Sequence, residues 1–190
     1  MTDAQLIQNF RNGDIEAFNA LVNRWQKRIH RFAYRYFSSH DEATEITQKT
    51  FIRAYKKLNT LEDAEKFSSW IYRIANNLCL DEAKRAGRRR SAPMEALPNH
   101  LATKDFAANP DRQVQQEELE SILQLALNQI PPDQRIVVIM KEYQGLKFRE
   151  IAEILDESEN TVKSRMYYGL TKLRTLFDQW NIELEALRYE

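Results

Sequence analysis

The sequence predicts an all-α protein, and three observations carry that prediction. Four glycines and five prolines in 190 residues leave few breaks for hairpins. Gln, Glu, Lys, Leu and Ala, all good helix formers, dominate the composition. Apolar residues recur at steps of three and four, the spacing of one helical face. A hydrophobic fraction of 43% suits a packed core and argues against wholesale disorder.

Three blocks follow along the chain: residues 1–90 and 118–180 are periodic, and 91–117 separate them. In the first block Asp14 opens a helix with Phe18, Leu21, Val22, Trp25, Ile29 and Phe32 on one face. Ser39-His40-Asp41-Glu42 has the capping-box pattern, Ser39 accepting from the third-residue amide and Glu42 reaching back. The helix it starts runs to about Leu58, and residues 59–66 form a polar connector. Phe67–Trp70 leads into a long helix through Arg85 that stops near Gly87. Residues 91–117 hold three prolines and few aliphatics, the composition of a flexible linker. A helix near Glu117–Gln129 follows, with Leu119, Ile122, Leu123, Ala126 and Leu127 on one face. Pro131-Pro132 breaks it and starts the next, which buries Ile136, Val137, Ile139 and Met140 and ends at Gly145. Residues 181–190 form a tail past the periodic pattern, with Trp180, Ile182, Leu184 and Leu187 giving this end apolar content.

Formal net charge is zero, but the charge is unevenly placed. Residues 1–90 carry 17 Lys and Arg against 11 Asp and Glu, while 119–190 carry 9 against 12. A basic front half joined to acidic segments suits a module that faces a polyanion. Cys79, the single cysteine, excludes an intrachain disulfide and sits in an apolar helical stretch as core filler. The first residues lack the basic start and apolar run of a signal peptide, and no apolar stretch nears the roughly 20 residues of a membrane span. A cytoplasmic protein without membrane insertion is expected.

Phe148–Arg174 has the pattern of a helix-turn-helix. Its first helix, Phe148–Leu155, buries Ile151, Ala152 and Leu155, and the small Ala152 lets two helices cross closely. A turn, Asp156–Glu159, follows, with Ser158 as N-cap of the second helix. Val162, Met166, Leu173 and Phe177 share one stripe of that helix, and Asn160, Ser164, Tyr168 and Thr171 face the other way. Lys163, Arg165, Tyr167 and Lys172 flank the outer face. Amide, hydroxyl and phenol groups address base edges in a major groove while cations meet phosphates. A second constellation runs from Trp70 through Arg73, Asn77, Lys84 and Arg85 to Arg88–Arg90. Aromatics interleaved with cations suit single-stranded nucleic acid, although Trp70, Ile71 and Ile74 also fit a core.

An enzyme is disfavoured. His30, His40 and His100 are scattered, and no HExxH, glycine-rich phosphate loop or serine elbow occurs. No metal or cofactor is expected. Asp41, Glu42 and Glu45 could mimic a carboxylate metal site, but acids at a capped helix start are favoured by the helix dipole anyway.

Three stretches, DEATEITQKTFIRAYKKL, WIYRIANNLCLDEAKR and LNQIPPDQRIVVIMKEYQGLKFREIAEILDESENTVKSRM, occur in order and together resemble the extracytoplasmic-function sigma factors of bacterial RNA polymerase. The resemblance implies two small helical domains joined by a flexible linker, the second containing the helix-turn-helix. It further implies docking of the helix from Asp41 on the clamp of the polymerase's largest subunit, with Asp41, Glu45, Gln48, Lys49 and Ile52 at the matching positions. Lys49 stands where the family usually has an acid. The connector and the following helix would melt and read the minus-ten element, with Leu61, Arg73, Asn77, Lys84, Arg85 and Arg88 as the matching residues. Leu61, Glu62, Asp63 and Glu65 depart from the more common aromatic-glycine loop. Asn160, Thr161, Lys163, Ser164, Arg165, Tyr167, Tyr168 and Thr171 would meet the minus-thirty-five element as duplex, with Tyr168 where many relatives carry arginine. An anti-sigma partner is implied as well. The rival reading, a stand-alone helix-turn-helix regulator, accounts for residues 118–174 and leaves the Ser39-capped helix and the Trp70 helix without a role.

Overall fold

The computed structural model describes the backbone of residues 1–89, 112–180 and 182, and the side chains of 1–85, 119–180 and 182. Among the described residues there are eight α-helices and no strands. They are α1 (Asp3–Arg11), α2 (Ile15–Phe37), α3 (His40–Lys57), α4 (Phe67–Arg89), α5 (Arg112–Gln129), α6 (Pro132–Val138), α7 (Phe148–Leu155) and α8 (Glu159–Gln179).

Capping chemistry sets most of these boundaries. Asp14 caps α2 by accepting from the Glu16 amide at 3.0 Å. Ser39 Oγ accepts from the Glu42 amide at 3.3 Å and opens α3, but among the described residues Glu42 makes no reciprocal bond. The complete capping box lies elsewhere, at α1. There Thr2 Oγ1 accepts from the Gln5 amide at 3.2 Å, and the Thr2 amide donates to Gln5 Oε1 at 2.8 Å. This helix was not among the elements expected from sequence. The long helix α4 continues through Gly87 to Arg89, so that glycine is not its stop. Helix α5 starts at Arg112, inside the segment assigned to the linker. Residues 90–111, and with them His100, lie outside the described residues.

The N-terminal core is the inward face of α2 (Phe18, Leu21, Trp25, Ile29, Phe32) closed by Ile46 of α3 and by Phe67, Ile71 and Cys79 of α4. Trp70 and Ile74 are only partly buried and pack against this core, Trp70 also lining a cleft with Glu153 of α7. In the C-terminal block Ile122, Ala126 and Leu127 pack with Ile136–Met140, Val162, Met166, Leu173 and Phe177. Ile154, not Leu155, is the third buried residue of α7, beside Ile151 and Ala152. Gly169 supplies an approach the sequence reading did not single out. A Cβ there would stand 3.0 Å from Val138 Cγ2, so α8 crosses α6 where only hydrogen fits. After α6 the chain makes a π-helical turn, Ile139–Tyr143, and leaves it through Gly145 at φ +67°. Trp180 and Ile182 pack back on this domain; Leu184 and Leu187 lie outside the described residues.

Candidate nucleic-acid interface

Helix α8 owes its position to the turn before it. Asp156 takes the left-handed conformation at φ +56°, a place a short polar side chain tolerates better than most. Ser158 Oγ then accepts from the Thr161 amide at 3.0 Å and fixes the first turn. With Val162, Met166 and Gly169 buried, Asn160, Lys163, Ser164, Tyr167, Tyr168 and Thr171 are left on the exposed side. Tyr167 is 67% exposed and Tyr168 60%, their rings edge to face at 5.6 Å. Two adjacent phenols held this far into water form the kind of amphipathic contact patch that a partner covers. Two of the flanking cations are already engaged. Lys163 Nζ lies 2.7 Å from Glu159, and Arg165 contacts Glu157 at 2.9 Å and Asp133 at 3.4 Å. Thr161 is half-buried and shares its hydroxyl with Ser158 at 2.8 Å, so it serves the cap.

On α4, Arg73, Asn77 and Lys84 are exposed and fall within a narrow sector at 3.6 residues per turn. Arg85 is turned away from them and pairs with Glu82 at 3.5 Å. The Arg88 side chain lies outside the described residues. The neighbour Asn76 is buried with no partner for its Oδ1, so of the two adjacent amides only Asn77 is presented to solvent. Leu61 requires correction. Its side chain is buried, and the Arg11 guanidinium donates to its carbonyl, so the connector presents no Leu61 side chain to a base. The sequence hid this because a lone leucine in a polar segment reads equally as loop tip or anchor. The connector instead displays Glu62, Asp63, Glu65 and Lys66, around two 3₁₀ turns, Leu58–Thr60 and Ala64–Lys66.

On α3, Asp41, Glu45, Gln48 and Ile52 recur at helical spacing and are all exposed, Ile52 to 56%. Lys49 departs from that face. Its ammonium lies 2.5 Å from Glu45 and 4.0 Å from Glu82 of α4, tying the two helices together. The hydrogen bond from Lys49 holds the Glu45 carboxyl below the usual carboxylate range. His30 and His40, expected to be scattered, stack at 5.8 Å, and Tyr34 stacks on His40 at 4.4 Å. No group of three metal-binding side chains forms among the described residues.

The two blocks meet across α4 and α7. Lys66 Nζ lies 2.5 Å from Glu153 of α7, and Arg73 donates to the Glu153 carbonyl. Tyr72 donates to Gln144 Oε1 at 2.8 Å, and burial pushes its phenol up to about 12. Gln124 is buried because its amide donates to the Arg35 carbonyl at 2.7 Å, and Arg35 stacks over Tyr143 at 4.5 Å. Neither Lys66 nor Glu153 was singled out from sequence; nothing local marks a cation and a carboxylate 87 residues apart as partners.

Residues 21–89 match the family model for sigma-70 region 2, and residues 120–173 that for sigma-70 region 4. The ECF RNA polymerase sigma-E factor of Escherichia coli K12 is 33% identical over 173 residues, covering 88% of this chain and 90% of the relative. That of Haemophilus influenzae is 31% identical over 175 residues, with the same two coverages. The chain belongs to the ECF sigma factor family. A stand-alone regulator is thereby ruled out as the reading, since region 2 accompanies the helix-turn-helix region. Solved structures share the fold of this sigma factor at lower identity. CnrH in complex with the cytosolic domain of CnrY aligns with a TM-score of 0.68 at 21% identity, covering 93% of this chain and 97% of that one. RpoE in complex with the anti-sigma factor NepR from Bartonella quintana gives 0.66 at 21%, covering 86% and 98%. The family consists of transcription initiation factors rather than catalysts. No described helix of this sigma factor is long and apolar enough to cross a membrane.

Proposed function

We propose that this sigma factor binds core RNA polymerase in the cytoplasm and directs initiation at a specific set of promoters. The observation that carries the reading is one chain holding region 2 and region 4 in order, with identity to sigma-E factors along 88% of its length. The exposed face of α3, Asp41, Glu45, Gln48 and Ile52, docks on the clamp of the largest subunit. Helix α8 enters the major groove of the minus-thirty-five element, where Tyr167, Tyr168 and Ser164 meet base edges and Lys163 a phosphate. Arg165 and Thr161 act mainly by holding the recognition helix in place. Helix α4 and the connector capture the minus-ten element as single strand, Asn77 at a base and Arg73 and Lys84 along the backbone. Unstacking each captured base costs a few kcal/mol, supplied by binding and not by covalent chemistry. An anti-sigma protein holds the free form in reserve, as CnrY and NepR pair with the structural neighbours.

Run-off transcription with core enzyme tests this. Genomic fragments retained by the polymerase complex should yield transcripts that require the sigma factor. No initiation from any retained fragment would refute the proposal.

A further inference from the structure

The cleft between α2 and α3 is lined by hydrogen-bond donors and by no acid. It measures about 660 Å³, within the roughly 300–1,000 Å³ of small-molecule sites. Lys27, His30 and Arg31 of α2 stand on one side, and Thr44, Thr47 and Gln48 of α3 on the other. His30 Nε2 and Thr44 Oγ1 approach across it to 3.5 Å. No residue lining this cleft carries a carboxylate, whereas four other clefts include Glu120, Glu153, Glu82 and Glu142 in turn. Glu45, beside Thr44 in sequence, is held by Lys49 at 2.5 Å. The stems of Lys27 and Arg31 and the threonine methyls leave much of the wall apolar.

Lys27 and Arg31 are exposed and have no carboxylate partner among the described residues. Their neighbours along α2 differ. Arg24 is taken by Asp3 at 2.5 Å, Arg35 by Glu120 at 3.4 Å, and Arg28 lies over the Trp25 ring at 5.0 Å. The bare stretch is therefore one helical turn, about 6 Å at ~1.5 Å per residue. A polynucleotide groove needs cations that continue along the strand, and this stretch stops at both ends. Two cations one turn apart instead match a single short chain of phosphates, each meeting an ammonium or a guanidinium.

We infer that this cleft binds a nucleoside polyphosphate. Lys27 and Arg31 hold the phosphates, His30 and Thr44 donate to them, and the apolar wall takes the flat body of the base. The site uses none of the residues assigned to promoter DNA, and of the face proposed for core docking it shares Gln48 alone.

Fluorescence anisotropy of N-methylanthraniloyl-GTP with the full chain, in magnesium-free buffer, tests this. Binding should saturate and be reversed by unlabelled GTP; no saturation below about 1 mM overturns the inference. Lys27→Gln combined with Arg31→Gln should weaken binding at least about tenfold, because two charge-assisted contacts are lost. Lys57→Gln removes an exposed cation of α3 that lies outside the cleft, and should bind as wild type does. No loss in the double variant, or an equal loss in Lys57→Gln, would show general charge attraction and no site. Tripolyphosphate should displace the label at least about tenfold less well than GTP, and guanosine less well still, since each lacks part of the ligand. Tripolyphosphate as effective as GTP would refute the role of the apolar wall and with it the nucleoside assignment. A mixed-sequence oligonucleotide that displaces the label at a lower phosphate concentration than GTP would make the cleft part of a nucleic-acid groove, and the inference fails.

Discussion

The guanidinium of Arg135 sits where two helices run out of amide donors. The last turns of α2 and α5 leave carbonyls without intrahelical partners, and Arg135 reaches both. Its Nη1 donates to the Tyr36 carbonyl at 3.2 Å and to Asn128 Oδ1 at 3.3 Å. Its Nη2 donates to the carbonyls of Asn128 at 2.8 Å and Ile130 at 3.3 Å. Hydrogen bonds from a charged donor contribute about 1.5–3 kcal/mol each, but the three longer bonds here are weaker, and burying the guanidinium offsets part of the gain. That burial shows in its pKa, which lies below the ordinary arginine value. Methionine keeps the packing of the stem and removes every donor, so Arg135→Met should cost about 3 kcal/mol, the stranded carbonyls included. For a chain of this size each kcal/mol lowers Tm by about 2–4 °C, giving a fall of roughly 6–12 °C in thermal unfolding followed by circular dichroism. Arg135→Lys retains a cation at two helix C-termini, worth about 0.3–1 kcal/mol, but loses the fork, and should fall between. A drop below about 2 °C for methionine, or a lysine variant matching wild type, would show that the bridging geometry contributes little.

Other perturbations probe the remaining elements. Lys163→Ala should weaken duplex binding about threefold and reduce the salt dependence of log K by about one, read by fluorescence anisotropy; an unchanged slope removes Lys163 from the phosphates. Core polymerase binding by the same variant should match wild type. Gly169→Leu must place its side chain where even a Cβ would stand 3.0 Å from Val138 Cγ2. It should cost at least about 1–3 kcal/mol in urea unfolding, and a neutral result would mean α6 and α8 slide apart freely. Cys79 is fully buried and its thiol is pushed well above its ordinary value by that burial. A maleimide at neutral pH should therefore label the native protein far more slowly than the urea-unfolded one; equal rates would place Cys79 at the surface.

Periodicity made most of the fold legible. Phe18, Leu21, Trp25, Ile29 and Phe32 on α2 and Val162, Met166, Leu173 and Phe177 on α8 are buried where the helical wheel puts them, with Val22 only partly buried at the edge of its face, because a helix has one face to hide. Caps located Asp14, Ser39 and Ser158 for the same local reason: each satisfies amides within three residues. What escaped was tertiary. Leu61 is an anchor rather than a loop tip, Gln124 is buried against a carbonyl of α2, and Gly169 is small because α6 crosses it. None of these differs locally from an ordinary loop leucine, surface glutamine or helical glycine. Gly87 misled in the opposite direction. A glycine costs a helix about 1 kcal/mol, and α4 continues through it. The outer face of α8 was readable as a unit, but the engagement of Arg165 with Asp133 and Glu157 was not, since Asp133 comes from another helix.

Those engaged cations also explain how a chain of zero net charge suits a polyanion. Lys49, Lys66, Arg85, Lys163 and Arg165 each have a carboxylate within 3.5 Å. Meeting a phosphate then means exchanging one anion for another. Such an exchange gains less than pairing a bare cation would, because part of the attraction is already satisfied. Affinity of the isolated protein for arbitrary DNA should thereby be held down at these five positions, although the cations remain in place. On the function proposed above, selectivity falls to groups that no internal carboxylate can occupy: the two exposed phenols of α8 and the Asn77 amide. Sequence-independent charge is muted and sequence-reading groups are left open. On the proposed function, a subunit that reaches DNA together with its polymerase gains from that division, because stray binding by the free chain would compete with assembly.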